Sequence, residues 1–469
     1  MAASLLRKRS RDTGDMLNGV MWRQILTFFF PILIGSFFQQ LYNMVDTIVI
    51  GKTVGTNALA AVGTTGNIIT LLVGLFVGIA GGATVVISQY YGARDAAKVH
   101  NAVHTAIAMG ILFGAVMMVI GIITTRPLLK IMNVPEEIID DAATYMIVYY
   151  AGIIGNMLYN VGTGVLRSVG DSRTPLLVLI VCCMANIVLD ILFVVGFHWD
   201  VFGVAFATII SQLISAVCVI FVLMKAEDIY QLKLKEIRFD FKLLKEIVRI
   251  GIPSGMESVF YAISNALLQA SINGFGTIAI ASWTAISKVD AVVWMVMQAF
   301  AISVSTIVGQ NFGGKCYDRV KECSRTGLWM TLGSVAFVSA CLWIFGTFFL
   351  KIFTDDPNVV TTGVEFLHVL APSYILYVFI NNYSSVIRGC GESLQPMLIT
   401  GIFICGIRIA WLLGLLPMYR TVSMVALCYP ASWLVTAGIF IVYYLRMRWM
   451  KRCIAHQQQL ELQLRENAD

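Results

Sequence analysis

Long apolar stretches alternate along this sequence with short segments in which charged residues, Pro and Gly cluster. Each apolar stretch is near or above the roughly 20 residues that a helix needs to cross the hydrocarbon of a bilayer. Runs of this length without alternating apolar and polar positions predict helices rather than barrel strands. We expect twelve transmembrane helices, over 24–50, 57–89, 101–124, 141–166, 175–196, 201–224, 247–272, 276–309, 326–350, 359–387, 396–417 and 422–445.

Composition agrees with this pattern. Of the 469 residues, 58% are hydrophobic, and only 33 Lys and Arg and 27 Asp and Glu carry charge. Soluble domains contain about 25% charged residues. A chain this poor in charge cannot cover several soluble cores, which excludes a cytosolic enzyme, a disordered scaffold and a secreted disulfide module. The sequence therefore predicts an all-α membrane protein.

The Lys and Arg residues predict the orientation, because they are retained on the cytoplasmic side. If both ends are inside, 26 lie in inner segments and five in outer ones. We therefore expect a multi-pass protein of the plasma (inner) membrane with both termini in the cytoplasm. The net charge of +6 then reflects this orientation, and the basic residues are available to contact anionic lipid headgroups. We expect no nucleic-acid partner.

An internal repeat appears at a constant offset of 221 residues. GTNALAA (55–61) recurs as GTIAIAS (276–282), and RSVGDSRTP (167–175) recurs as RGCGESLQP (388–396). This register predicts a duplicated six-helix unit, with two pseudo-symmetric lobes that rock around a site near the midplane. The expected domains are a cytoplasmic N-terminal segment (1–23), an N-lobe (24–224), a cytoplasmic linker (225–246), a C-lobe (247–445) and a cytoplasmic tail (446–469).

Several of these segments resemble a known family. The first-span pattern PILIGSFFQQLYNMVDTIVIG followed by ALAAVG, the turns ISQYYGA and VGQNFGG, and the paired RxxGD/E...P loops resemble the multidrug and toxic compound extrusion (MATE) family. The likeness covers about residues 20 to 448. It implies a V-shaped pair of six-helix lobes that exchanges organic cations or other amphiphiles for H+ or Na+.

Charged side chains at the centre of a span cost about 2.5–3.5 kcal/mol each, so those present indicate function. The C-lobe charges sum to zero, whereas the N-lobe acids Asp46 and Asp190 have no basic partner within a span of that lobe. Two unpaired carboxylates in a low-dielectric cavity are expected to hold a shared proton or a Na+. The six charged residues well inside spans are Asp46, Asp190, Glu257, Lys288, Asp290 and Arg408.

The neighbours of the two N-lobe acids are polar. Asn186 lies one turn before Asp190, and Tyr42 one turn before Asp46. The resemblance implies a cation site at Tyr42, Asp46, Asn186, Asp190 and Thr208, with Asn156 and Asn160 on one face of span four as further candidates. The alternative is that Asp46 merely caps the outer end of span one.

For the C-lobe charges we expect the ion pairs Glu257 with Lys288 and Asp290 with Arg408. The resemblance also matches Glu257 to the seventh-span acid that one branch of the family uses for cations. That branch has a second acid in span ten, where this sequence has no midspan carboxylate. Both a coupling role for Glu257 and a structural ion pair remain open.

Helix breaks and small residues predict where helices bend and pack. Pro31 and Pro253 interrupt corresponding helices, so they mark either moving segments or ordinary kinks. Gly74, Gly78 and Gly82, at four-residue spacing, predict close helix packing.

Motifs for ATP hydrolysis or catalysis are incomplete. GQNFGGK (309–315) is followed by Cys316 in place of the Ser or Thr that holds Mg²⁺, and the five His residues show no zinc-enzyme spacing. We therefore expect a monomeric secondary antiporter for small amphiphilic or cationic substrates. It would use no ATP, no metal and no cofactor besides the coupling ion. The alternatives are a flippase for a lipid-linked sugar and, in another class, a membrane-embedded lipid enzyme.

Overall fold

The computed structural model describes residues 16–132 and 134–466. Within them every regular element is a helix. Most of the predicted N-terminal segment, including the bases Arg7, Lys8, Arg9 and Arg11, lies outside the described residues. The α-helices are α1 (Met21–Thr53), α2 (Thr56–Gly92), α3 (Ala96–Ile131), α4 (Glu136–Ala151), α5 (Ile153–Ser168), α6 (Arg173–Asp190), α7 (Asp200–Lys225), α8 (Phe241–Asn273), α9 (Thr277–Val289), α10 (Ala291–Gly313), α11 (Tyr317–Lys351), α12 (Pro357–Gly389), α13 (Leu394–Ile399), α14 (Gly406–Ala410), α15 (Val422–Leu445) and α16 (Arg448–Glu466).

Among the described residues, ten helical segments are long and apolar enough to cross a membrane, and the number rises to 11 if the bent pair α4 and α5 forms one span. These two helices meet at an angle of 48°. The helix α8 is not among the candidates, because Glu257, Asn265 and several small polar residues interrupt its apolar run. The all-α membrane fold is thus confirmed, whereas the count of twelve spans and the V-shaped arrangement stay predictions.

The backbone repeats at the predicted offset. Residues with positive φ recur 221 positions apart, and each pair ends or begins a helix in the same way. The pairs are Gly55 (119°) with Gly276 (92°), Arg94 (56°) with Lys315 (60°), and Gly170 (103°) with Gly391 (91°). Positive φ is costly for most residues, so its recurrence at matching positions confirms that the two halves fold as copies of one unit.

Side-chain contacts repeat as well. The thiol of Cys183 in α6 lies 3.6 Å from the carbonyl oxygen of Phe38 in α1. The thiol of Cys405 lies 3.3 Å from the carbonyl oxygen of Phe260 in α8. Both members of the second pair follow the first by 222 residues, one more than the offset between the positive-φ positions. Each half therefore packs its first helix on its fifth span in the same way.

The chain divides into two compact units. Of the described residues, the first unit contains 16–18 and Phe30–Gly255, and the second contains Gly19–Phe29 and 256–466. The division runs through α1 and α8, within two residues of Pro31 and Pro253. The prediction from the sequence instead places the whole of the first span in the N-lobe and the whole of the seventh span in the C-lobe. The linker between the repeats is also shorter than predicted, because α8 begins at Phe241 and includes residues up to 246.

Within the first unit α2 packs closely on the first half of α8. A Cβ at Gly82 would lie 2.5 Å from the Ile247 carbonyl oxygen and 2.7 Å from the Gly251 nitrogen, and a Cβ at Gly78 would meet the backbone of Gly255. Such distances are possible only because glycine has no side chain. The predicted role of Gly78 and Gly82 in close packing is confirmed.

Candidate functional site

Asp46 and Asp190 meet inside the first unit. Asp46 comes from α1 and Asp190 is the last residue of α6, and their carboxyl groups lie close enough to interact with each other. Asp190 is fully buried. Both of its carboxylate oxygens and Oδ1 of Asp46 are buried without any hydrogen-bond donor. One proton between the two carboxyl groups would supply a donor, and without a cation the two charges repel each other.

The alternative in which Asp46 caps the end of its helix does not fit this geometry. The helix α1 continues past Asp46 to Thr53. Oδ1 of Asp46 receives no hydrogen bond from a helix end or from any other described group.

Three predicted neighbours surround the acids. Asn186, one turn before Asp190, is buried, and both polar atoms of its side chain lack a hydrogen-bond partner. Thr208 in α7 is also buried and donates its hydroxyl to the Val204 carbonyl at 3.0 Å, so its oxygen lone pairs remain available. Tyr42 lies within electrostatic range of Asp46. These groups offer oxygen atoms, the ligand type that hard cations prefer.

A cavity of about 60 Å³ opens beside these groups. It has room for an ion or a few water molecules, whereas sites for drug-sized molecules are typically about 300–1,000 Å³. The cavity therefore fits a coupling ion better than it fits a substrate. Its lining residues are Gln39, Tyr42, Asn156, Tyr159, Leu179, Cys182, Cys183, Asn186, Thr208, Ser211, Gln212 and Ser215.

Asn156 and Asn160 take different positions. Asn156 lines the cavity. Asn160 donates its amide to the backbone oxygen and to Oδ1 of Asn156, both at 2.9 Å. Asn160 therefore orients Asn156 and is not itself a lining residue.

Polar residues that the sequence analysis missed complete the site. Tyr145 in α4 lies within electrostatic range of both acids, and Tyr149, one turn later, lies close to the side chain of Gln212 in α7. Gln212 could have been predicted from the sequence, because polar residues recur along α7 at helical spacing from Thr208 to Ser215. The tyrosines gave no comparable signal, because aromatic residues are frequent throughout the chain.

In the second unit the predicted partner of Glu257 is wrong. Nη1 of Arg388 lies 3.2 Å from Oε2 of Glu257, and Thr400 donates its hydroxyl to Oε1 at 3.4 Å. Lys288 is exposed and pairs with no acid in the part of the chain that the structure describes. The pairing differs because α12 brings its last basic residue back to α8, which spacing along the sequence does not show.

The second predicted pair is also wrong. Oδ2 of Asp290, which lies at the break between α9 and α10, accepts hydrogen bonds from Trp294 Nε1 and from the Tyr374 hydroxyl, both at 3.2 Å. The guanidinium of Arg408 stacks 4.2 Å above the ring of Tyr429. Arg408 is only 2% exposed, and the side chains that accept its hydrogen bonds, Ser432 and Asn265, are uncharged. Aromatic faces therefore take the place of the expected carboxylate.

The two predicted bend positions lie inside continuous helices. Pro31 is an interior residue of α1, and Pro253 is an interior residue of α8. Each removes one backbone hydrogen bond from its helix. Both prolines lie beside the division between the two compact units, where a bend in the helix is expected. Their role in movement stays a prediction.

Comparisons with known proteins agree with this architecture. The MatE family model matches residues 31–192 and 253–412. A probable multidrug resistance protein of Bacillus subtilis, YoeA, is 27% identical over 445 residues, covering 92% of this chain and 95% of that protein. An FAD transporter of Shewanella oneidensis is 25% identical over 448 residues, covering 90% and 97%.

A solved structure of a MOP superfamily transporter from Pyrococcus furiosus superposes with a TM-score of 0.86 at 22% identity, covering 94% of this chain and 98% of that one. This likeness shows the fold. The family model accounts for more than half of the chain, in two segments that correspond to the two repeats. The chain therefore belongs to the MatE family of multidrug and toxic compound extrusion transporters, which are membrane transporters and not enzymes.

Proposed function

We propose that this transporter is a secondary antiporter that exports organic cations or other amphiphilic compounds in exchange for H+ or Na+. The observation that carries the proposal is the pair Asp46 and Asp190, whose carboxyl groups lie close together. Asp190 is fully buried, and the described residues give the pair no basic partner. Burying two carboxylates without compensation is costly, so the pair has a physical need for a cation.

The pair can couple ion binding to a conformational change because its members belong to different helices. With a bound proton or Na+, the carboxyl groups attract each other through the shared cation, and α1 and α6 are held together. Without the cation they repel each other, and a different arrangement of α1 is favoured. A cation taken up from outside would thus change the contacts around α1 and α6 and release the substrate outward. Loss of the cation to the cytoplasm would reset the cycle.

An ion gradient supplies enough energy for this exchange. Moving one elementary charge through 100 mV provides about 2.3 kcal/mol, whereas a tenfold concentration gradient costs about 1.4 kcal/mol. No ATP and no organic cofactor enter the proposed cycle.

The rival proposal is a flippase for a lipid-linked sugar. Such a substrate carries pyrophosphate and calls for a basic cavity. The lining residues that the structure describes around the first-unit cavity include no Lys or Arg. This composition supports a cation site over a pyrophosphate site.

Arg408 supports a second candidate substrate class. Its guanidinium is buried against Tyr429 and has no acidic partner among the described residues. One relative of this chain is named as an FAD transporter. An aromatic anion is therefore the second substrate class that we propose to test.

The remaining expectations follow the same proposal. We propose that the chain works as a monomer in the plasma membrane, surrounded by membrane lipid, with both termini in the cytoplasm. The seven Lys and Arg residues between 225 and 249 support this orientation.

The proposal is tested by efflux from proteoliposomes that contain the purified protein. We expect a fluorescent organic cation to leave the liposomes when a proton or Na+ gradient is imposed, and a protonophore to abolish the proton-driven part. Asp190→Asn should lose this transport, whereas Asp141→Asn, a matched change at an exposed position of α4, should retain it. Gradient-driven FAD efflux without cation efflux would favour the second substrate class. The proposal would be overturned if the protein transported neither compound but moved a lipid-linked sugar across the bilayer.

A further inference from the structure

Three potential metal ligands converge where the linker between the repeats meets α3. His100 and His104 lie one turn apart near the start of α3, and Glu236 ends the short 3₁₀ turn Leu234–Glu236 of the linker. Nε2 of His100 is 2.6 Å from Oε2 of Glu236. One ligand atom from each of the three side chains lies within 4.8 Å of the other two. The three groups belong to the first unit and are separate from the acid pair.

The hydrogen bonds of His104 determine which ring nitrogen is protonated. Nδ1 lies 2.7 Å from the carbonyl oxygen of His100, and a carbonyl can only accept, so Nδ1 carries the hydrogen. Nε2 consequently carries no hydrogen, and its lone pair points at the linker, where it accepts the Lys233 backbone N–H at 3.0 Å. A ring that donates one N–H to a backbone carbonyl and offers the other nitrogen is the usual state of a metal-binding histidine.

We propose that His100, His104 and Glu236 form a binding site for a divalent transition metal ion such as Zn²⁺, which fastens the linker to α3. Two imidazoles and one carboxylate, with water as fourth ligand, are a typical zinc donor set. The side chains of His100 and Glu236 are 28% and 46% exposed, so an ion and its water can reach the site without unfolding. His104 is buried behind them and is held in place by its Nδ1 hydrogen bond.

Metal binding requires a local rearrangement of the linker. Ligand atoms around tetrahedral zinc lie about 3.3 Å apart, given zinc–nitrogen and zinc–oxygen distances of about 2.0–2.1 Å. The metal must also replace the hydrogen between Nε2 of His100 and Oε2 of Glu236, which water can carry to Nδ1 of the same ring. It must further replace the Lys233 N–H at His104 and the Lys233 ammonium, which lies 3.1 Å from Oε1 of Glu236. The last two groups belong to one exposed residue, which water can solvate once it is displaced.

The sequence predicts no metal site, because the five His residues match none of the spacings typical of zinc enzymes. The pair His-x-x-x-His alone is a weak signal. Its third ligand is 136 residues away from His100 and becomes visible only when the linker is folded.

The experiment uses the purified full chain in detergent, with any polyhistidine tag removed because the tag itself binds metal. Zn²⁺ alone is titrated by calorimetry at neutral pH, and Co²⁺ is titrated by visible absorption. We expect one ion per chain, a ligand-field band with Co²⁺, and affinity at least about tenfold weaker in Glu236→Gln and in His100→Gln. His368→Gln, which removes an exposed histidine in the second unit, should bind as the wild type does.

Glu236 and His100 are partly exposed, so their variants should fold, and a transport assay is not needed for the result. The proposal is overturned if the wild type binds Zn²⁺ no more tightly than Glu236→Gln. In that case the three side chains only join the linker to α3 by hydrogen bonds.

Discussion

Asp46 and Asp190 bring two carboxyl groups close together from different helices, and no described residue donates a hydrogen bond to Asp190. A fold keeps such an arrangement only if a cation is part of it, because two buried charges of the same sign repel each other. The cavity lined by Tyr42, Asn186 and Thr208 is of ionic rather than drug-like size. The proposed role of the pair is therefore ion coupling, with the exported compound bound elsewhere.

Asn186 should contribute to ion binding but not to stability. Neither polar atom of its buried amide has a hydrogen-bond partner. Replacing an unsatisfied buried amide by an apolar group of similar size removes its desolvation cost. We expect Asn186→Leu to keep or raise the unfolding temperature in detergent while ion-driven efflux falls at least tenfold. A large loss of stability together with normal efflux would contradict this assignment.

Asn160 provides the matched comparison. Its amide makes two hydrogen bonds to Asn156. Asn160→Leu should therefore lower stability by about 1 kcal/mol and reduce efflux only moderately, because Asn156 loses its orientation. Equal effects of the two substitutions on unfolding temperature would show that the amide of Asn186 has a structural partner after all.

A double-mutant cycle on Glu257 and Arg388 distinguishes a structural role of Glu257 from a role in ion coupling. Their ion pair is largely buried. Removing one partner leaves the other charge uncompensated, so Glu257→Gln and Arg388→Gln should each destabilise the protein by about 3 kcal/mol. The double variant should recover much of this loss and should transport. Restored stability without ion-driven efflux would instead assign Glu257 to coupling.

The close packing of α2 on α8 gives a prediction with a control one residue away. A Cβ at Gly82 would lie 2.5 Å from a backbone oxygen, whereas a Cβ at Gly81 would meet nothing within 4 Å. Gly82→Ala must push the helices apart and should cost about 1–3 kcal/mol. Gly81→Ala should be neutral in the same thermal unfolding measurement. Equal stability of the two variants would show that the helices separate without cost.

Much of the fold could be predicted because it depends on local chemistry. Long apolar runs require helices in a bilayer, and a repeat in the sequence requires a repeat in the backbone. The recurrence of positive φ at Gly55 and Gly276 follows directly from the matching letters GTNALAA and GTIAIAS. Asp46 and Asp190 were also predictable, since charge inside a span is costly wherever the helices pack.

The pairing of distant residues could not be predicted in the same way. Arg388 lies 131 residues from Glu257, and nothing along the sequence distinguishes it from Lys288 as a partner. A buried arginine is expected to pair with a carboxylate, but the guanidinium of Arg408 lies over the rings of Tyr429 and Trp433 instead. Such contacts depend on how helices turn about their axes, which the pattern of apolar residues constrains only loosely.

The most direct test of the coupling role of Asp46 and Asp190 is the release of the ion on binding of substrate. Purified protein in weakly buffered detergent solution is mixed with an organic cation that it exports. Protons are followed with a pH indicator and Na+ with an ion-selective electrode. The account predicts that the wild type releases a stoichiometric amount of one of the two ions, and that Asp46→Asn releases none while it still binds the substrate. Release of the same amount of ion by Asp46→Asn would contradict it.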